Sequence, residues 1–326
     1  MTHLPPDHPL SRILLPHLGR KPAQAIKVER LRASRPVFRF FLPGDGLGLV
    51  GKFFAGRTPA SPQDRSLARE YYHYLGAPAR ELAAAGLIPR LVGRAPGVRL
   101  GLLLEGQPGP DLDYYLAKAA LRRRSEGCQR QLAGLAELLA FFHTRALPRQ
   151  TVSPEPALAY FQKLRTQLQV LGLLSPKEAA VLGEESRAWG RRFEAYADFQ
   201  VLLHGDATPT NFLFPDGRAV AVDLERLRFG DRLFDLSWVA GELRHAWGWR
   251  GRDFSESETA IQSFFRAYLG AIAADDSLSR RIFALNPFYM ALAELRIARN
   301  SYLAWEYRRA LVAEANRCLS FGRRLP

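Results

Sequence analysis

The chain reads as an α+β protein in two lobes, a small antiparallel-sheet lobe over residues 1–105 and a mainly helical lobe over residues 106–326. Three observations carry this reading. Short runs rich in Val, Phe and Leu, separated by tight turns, crowd the stretch from Ala25 to Phe54. Beyond residue 106, apolar residues recur at helical spacing, as in Leu132, Leu135, Leu139 and Phe142. Two further apolar strands, Leu202-Leu203 and Ala219 to Val222, flank a polar loop within the helical part.

Taken in order, a Pro-rich start leads into three strands at Ala25 to Ala33, Val37 to Leu42 and Leu47 to Phe54. Pro43-Gly44-Asp45-Gly46 supplies the turn between the second and third strands. Lys52 lies on the third strand. Ser61-Pro62 opens a helix whose apolar stripe reads Leu67, Tyr71 and Leu75, and Glu70 lies on that helix. Val98 to Leu104 is an apolar strand that stops at Glu105-Gly106-Gln107-Pro108-Gly109. A helix from Gln129 to Leu147 carries His143 on its apolar face, where it reads as buried structure. Residues 154–197 give two helices, with Pro154 and Pro176 near their starts. Asp235 begins another, Leu236 to His245, and helices at 257–274 and 287–318 complete the lobe. No internal repeat interrupts this order.

The chemistry concentrates in His204-Gly205-Asp206, with Asn211 five residues after the Asp and Asp223 twelve residues after the Asn. Phosphoryl transfer from ATP needs such a set. One carboxylate accepts the proton of the attacking hydroxyl, and an amide oxygen with a second carboxylate holds the magnesium that bridges the phosphates. Asp206 fits the first task, and Asn211 and Asp223 fit the second. Turn propensity alone would explain one Asp or one Asn. It would not explain all of them in register with two strands. Gly46-x-x-x-x-Gly51-Lys52 is nearly a P-loop sequence, but Phe53 stands where a hydroxyl residue would bind magnesium, and Val50 to Phe54 reads as strand.

The order His-x-Asp-x-x-x-x-Asn followed by Asp resembles the catalytic loop of the kinase fold. In detail, His204-Gly205-Asp206, Asp223-Leu224-Glu225, Gly230-Asp231 and Asp235-Leu236 resemble the aminoglycoside phosphotransferase and choline kinase branch. The resemblance is specific over about residues 200–240 and extends more weakly over the whole chain. It implies a bilobal protein-kinase-like fold. It implies that Lys52 holds the α- and β-phosphates of ATP and that Glu70 holds Lys52. The strand end at Glu105 would meet the adenine edge. The phosphate-covering turn would be Arg32-Ala33-Ser34-Arg35-Pro36, which lacks the glycine many relatives have there, so Ser34 and Arg35 are its candidate nucleotide contacts. Asp235 would hold the catalytic loop through its backbone, and His204 would shape that loop. The acceptor pocket would draw on Glu225, Trp238 and Glu242.

The formal net charge is +14, and of the 46 basic residues only six are lysine. Positive charge favours anionic partners: nucleotides, phosphorylated or acidic substrates, or weak contact with an anionic membrane surface. The basic residues are scattered without aromatic interleaving, which argues against a specific nucleic-acid partner. Two cysteines exclude a disulfide framework, and the N-terminus lacks a signal-peptide pattern, so a cytoplasmic setting is expected. The expected activity is an ATP- and Mg2+-dependent kinase acting on an alcohol or sugar hydroxyl. A kinase of a lipid-linked or lipopolysaccharide sugar at the inner membrane face, and a nucleotide-binding pseudokinase, are the alternatives. The presence of Lys52, Glu70, Asp206, Asn211 and Asp223 together argues against the last. Trp238 to Arg250 is mainly aromatic and basic, which favours a sugar stacked on a ring over a polycationic acceptor.

Overall fold

The structure is a computed structural model that describes residues 2–18, 25–31, 33, 35–42, 48–56, 61–122, 125–145, 150–251 and 253–325. Ser34 and the turn expected at Pro43-Gly44-Asp45-Gly46 lie outside the described residues. The chain divides into two compact units, Met1–Pro110 with Asn211–Leu227, and Asp111–Thr210 with Arg228–Pro326.

In the first unit, six strands form one sheet: β1 (Thr2–Leu4), β2 (Ile26–Arg30), β3 (Val37–Phe41), β4 (Leu49–Phe53), β5 (Leu91–Ala95) and β6 (Leu100–Glu105). Their spatial order is β1-β2-β3-β4-β6-β5, and every pairing is antiparallel. The Pro-rich start, which carries no strand pattern, supplies the edge strand β1 and a short helix, α1 (Pro9–Leu14). Leu14 and Leu15 are buried against Ile26, Phe40, Leu49 and Leu103, so α1 helps to close the sheet core. Helix α2 (Pro62–Leu75) starts where expected. Ser61 Oγ accepts the Asp64 N–H at 3.0 Å, and Pro62 takes a first-turn position that has no N–H to satisfy. Its buried face differs from the expected stripe, because Asp64, Leu67, Glu70 and Tyr74 point inward while Leu75 is exposed. Two acids on the inner face hide the period from a count of apolar residues alone. Helix α3 (Ala77–Ala84) follows after Gly76.

The boundary expected at residue 105 lies at Pro110, and Asn211–Leu227, expected in the helical lobe, folds with the sheet unit. Individual hydrogen bonds explain this. The Phe214 N–H donates to Pro110 O at 3.0 Å, and the Ala221 N–H to Leu87 O at 2.8 Å.

The second unit is helical: α4 (Leu112–Leu121), α5 (Gln129–Thr144), α6 (Glu155–Val170), α7 (Pro176–Phe193), α8 (Leu233–Ala246), α9 (Glu258–Ala271), α10 (Asp276–Ala298) and α11 (Trp305–Gly322). The helix expected over 287–318 is two helices, α10 and α11. Pro287 lies inside α10 rather than at a helix start. Helix α10 is buried on nearly all sides, which is the pattern of a central core helix. Phe288 on it stacks on Phe161 of α6, with ring centres 5.3 Å apart, and meets Trp189 and Phe193 of α7. A π-helical turn, Trp247–Gly251, extends α8. No helix among the described residues is long and apolar enough to cross a membrane.

Candidate active site

In the sheet unit, Lys52 lies on β4, paired with Val37 on one side and Leu102 on the other, and its side chain is nearly buried. Its Nζ donates to both carboxylate oxygens of Glu70 at 2.8 Å and to Asp223 Oδ1 at 2.5 Å. Burial alone would pull the ammonium down, but Glu70 and Asp223 outweigh it and hold the Lys52 pKa above its ordinary value. Glu70 is wholly buried on α2. Its Oε1 also accepts the Leu224 N–H at 3.2 Å, so one carboxylate orients both the lysine and the segment after Asp223.

Asn211 and Asp223 stand at the open end of a two-stranded hairpin, Phe212–Leu213 with Val220–Ala221. Phe212 faces Ala221, and the Val222 N–H donates to Asn211 O at 2.9 Å, which brings the two expected metal ligands to one end of the hairpin. Asp223 adopts a left-handed backbone, φ 67° and ψ 62°, a conformation that costs a non-glycine residue about 1 kcal/mol or more. Just beyond it, His73 Nδ1 donates to Leu224 O at 2.7 Å. An amide oxygen and a carboxylate are hard oxygen donors. Magnesium held through one or two carboxylates, with waters and phosphates completing its shell, fits that set.

Other expected residues of this unit are engaged with each other. Arg35 donates to Gln63 O at 3.1 Å and pairs with Glu225, which also accepts the Ser66 hydroxyl at 2.7 Å. Glu225, expected among the acceptor-pocket residues, is thus engaged by Arg35 and by Ser66 of α2. Glu105 pairs with Arg90 through its side chain, and its N–H donates to Arg90 O at 3.0 Å.

In the helical unit, the strand Val201–Leu203 delivers His204-Gly205-Asp206. Gly205 has φ 80°, a left-handed turn in which glycine carries no steric penalty. Asp235, buried on α8, accepts the His204 N–H at 2.7 Å and the Gly205 N–H at 2.9 Å, as a loop-holding role requires. Burial pushes its carboxyl up, but His143, His204 and the Gly205 N–H outweigh that and keep it below its ordinary value. The Asp206 N–H donates to His204 Nδ1 at 3.3 Å, which ties the side chain of His204 to the loop.

Behind Asp235 lies a chain of partners. Arg232 donates to Tyr268 Oη at 3.2 Å and to Asp198 at 2.8 and 3.1 Å. Tyr268 donates to His143 Nδ1 at 2.8 Å, and His143 Nε2 donates to Asp235 at 3.3 Å. Burial pulls the His143 pKa down, so the ring is neutral and a single tautomer satisfies both partners. Asp231 is buried too, held by Arg281 at 2.6 and 3.0 Å and by Tyr289 at 2.8 Å.

Arg296, on α10, is the residue that sequence reasoning missed. Its Nη1 lies 4.0 Å from Asp206 Oδ1, its Nη2 donates to Glu242 Oε1 at 2.8 Å, and its Cζ lies 5.2 Å over the Trp238 ring. Trp238 and Glu242 therefore do gather near Asp206. Trp238 is buried beneath Arg296, Tyr160 and Phe234, so its ring does not offer a sugar-stacking face. The basic residues after it are also paired. Arg244 meets Glu258 and Glu314, and Arg250 meets Asp113 at 2.8 Å. Arg244 and Arg250, part of the basic stretch that favours a sugar over a polycation in the sequence, are thus each compensated by carboxylates. Only contact in space could have revealed Arg296, since no motif surrounds it.

The family model described as the phosphotransferase enzyme family matches residues 47–279. The chain belongs to this family. It is a phosphotransferase with an alcohol group as acceptor, on a protein-kinase-like α+β fold. Among solved structures it is similar to the choline kinase of Cryptosporidium parvum, with 11% identity, TM-score 0.58, and 92% of this chain and 88% of that one covered. It is similar to the choline kinase LicA of Streptococcus pneumoniae, with 17% identity, TM-score 0.54, and 90% and 94% covered. A glucosamine kinase in complex with glucosamine, ADP and inorganic phosphate matches with 19% identity, TM-score 0.55, and 94% and 78% covered. At such identities the likeness concerns the fold. No curated protein sequence matches the phosphotransferase.

Proposed function

We propose that this phosphotransferase is an ATP- and magnesium-dependent kinase that transfers the γ-phosphate to a hydroxyl of a small molecule. The observation that carries the reading is the single buried Lys52 shared by Glu70 and Asp223. A lysine on the third strand of the kinase fold, fixed by a helix glutamate beside a metal-binding aspartate, is what ATP phosphates require. The ADP in the glucosamine kinase complex supports a nucleotide donor.

In this reading Lys52 holds the α- and β-phosphates and Glu70 keeps it aimed. Asn211 and Asp223 would hold Mg2+, which when bound neutralises charge on the phosphate oxygens. Asp206 accepts the proton of the acceptor hydroxyl as the new oxygen–phosphorus bond forms. The bond from the γ-phosphorus to the β,γ-bridging oxygen breaks, and ADP leaves with that oxygen. Asp235, through the backbone of His204 and Gly205, keeps Asp206 in place.

The test is transfer of labelled γ-phosphate from ATP to a panel of sugars, polyols and amino alcohols, with magnesium and with excess chelator. Transfer that needs magnesium supports the proposal. A chain that neither shifts its melting temperature with Mg-ATP nor releases ADP overturns it.

A further inference from the structure

The guanidinium beside Asp206 has more hydrogen-bonding capacity than its protein partners use. Arg296 carries five N–H donors. Glu242 takes one, the Trp238 face covers the plane, and Nε is buried without a partner. Its side chain is only 15% exposed, so it has lost most of its water, and one ion pair compensates poorly for that loss. The remaining contact, Nη1 to Asp206 Oδ1, is 4.0 Å, too long for a hydrogen bond. A carboxylate and a donor at that distance can each hydrogen-bond one of two neighbouring oxygens that approach them from the same side.

We infer that Arg296 recognises a second oxygen of the acceptor, on the carbon next to the one bearing the reacting hydroxyl. This rests on the kinase reading above and names its substrate class. The reacting hydroxyl donates to Asp206, and the neighbouring hydroxyl or anionic oxygen accepts from Arg296 Nη1. Oxygens on adjacent carbons of a diol are spaced to bridge the gap. An ammonium group in the same place would meet a cation instead. The acceptor class is therefore a vicinal diol, as in sugars and polyols, or an α-hydroxy acid, and not an ethanolamine-type alcohol. Arg296 is a specificity-determining residue, with Glu242 and Trp238 as its positioning partners.

The experiment compares wild type, Arg296→Met and Arg296→Lys in γ-phosphate transfer from Mg-ATP to D-glucose, D-ribose, glycerol, glycerate, choline and ethanolamine. The best acceptor is then compared with its monodeoxy analogues. Expected for wild type is transfer to a diol or hydroxy acid, with a loss of about tenfold or more in kcat/KM when the adjacent oxygen is removed. Arg296→Met loses a similar factor on the parent acceptor, mostly through KM, and loses little more on the deoxy analogue, because the two changes delete one contact. Arg296→Lys recovers part of the loss, and the melting shift with Mg-ATP is the same in all three. Preference of the wild type for choline or ethanolamine overturns the inference, and so do losses that multiply in the variant acting on the deoxy analogue. If Mg-ATP binds and its phosphate goes to choline, only the assignment of Arg296 falls. If Mg-ATP does not bind at all, the kinase reading falls with it.

Discussion

In the proposed mechanism Asp206 and Asp223 carry different tasks, and substitution would separate them. Asp206→Asn is expected to leave the melting shift with Mg-ATP intact and to cut turnover by at least about a hundredfold, the scale of positioned acid–base help. Asp223→Ala is expected to abolish the Mg-ATP shift itself. Equal loss of nucleotide affinity in both variants would show that one site had been misassigned. Lys52 gives a second test. Lys52→Met leaves Glu70 and the neighbouring Asp223 without their cation, and the stability measured by urea unfolding without nucleotide should fall by about 3 kcal/mol. Adding Glu70→Gln should recover part of it. At this scale the sequence is most legible where a motif fixes spacing: Asn211 and Asp223 stand at one end of one hairpin, and Asp206 follows a short strand and a glycine turn. Asp235 is where the motif implies, with its oxygens on the loop N–H groups. Arg296 is ninety residues from Asp206 in the chain, and nothing local to it marks the contact.

Helices α8 and α10 set the distance between Glu242 and Arg296 through one close approach. A Cβ added at Gly241 would lie 2.4 Å from the Cβ of Ala293. Gly241→Ala should therefore push the helices apart and cost about 1–3 kcal/mol, seen as a lower melting temperature. The acceptor KM should rise while the Mg-ATP shift stays, because Glu242 and Arg296 lie next to the strained crossing. Ala293→Gly in the same chain should restore both values, and failure to restore them would mean the crossing does not control the acceptor site. The helices were legible where apolar spacing is regular, as in α5. They were less so where polar groups turn inward, as Asp64 and Glu70 do on α2. The helix expected over 287–318 differs too, because α10 begins at Asp276 and continues through Pro287 within a buried core.

The whole chain divides differently from its sequence because Asn211–Leu227 joins the sheet unit through isolated backbone hydrogen bonds and through side chains such as Lys52, Glu70 and His73, which leave no periodic trace. Stability against pH is likewise a property of the whole. Glu294 is fully buried, both its oxygens lack partners, and burial pushes its carboxyl well above the ordinary value. Above a pH of about 4.3 the unfolded chain releases that proton while the folded chain keeps it, so Glu294 costs stability as pH rises toward its folded value. Two buried histidines act in the opposite sense. His245 is pulled down to about 4 by burial and by Arg250, and His143 is lowered by burial, so both favour the fold as pH rises toward the unfolded value of about 6.5. Glu294→Gln isolates the first effect. Its stability relative to wild type, from urea unfolding, should grow between pH 5 and pH 8. A constant difference would mean that Glu294 ionises within the fold.

Lys52 and a metal ion would seek the same oxygen of Asp223. A cation arriving alone must evict an ammonium that already neutralises the carboxylate. In the proposed mechanism ATP would change the exchange, because its phosphates would give Lys52 another anion to hold. The two ligands are therefore thermodynamically linked: each strengthens the other by the same factor, whichever binds first. Calorimetric titration of Mg2+ should show affinity at least about tenfold higher with an ATP analogue present than without it, a coupling of about 1.4 kcal/mol. On that reading the buried ammonium is a placeholder, and the proposed metal site would be selective for ions that come with a nucleotide.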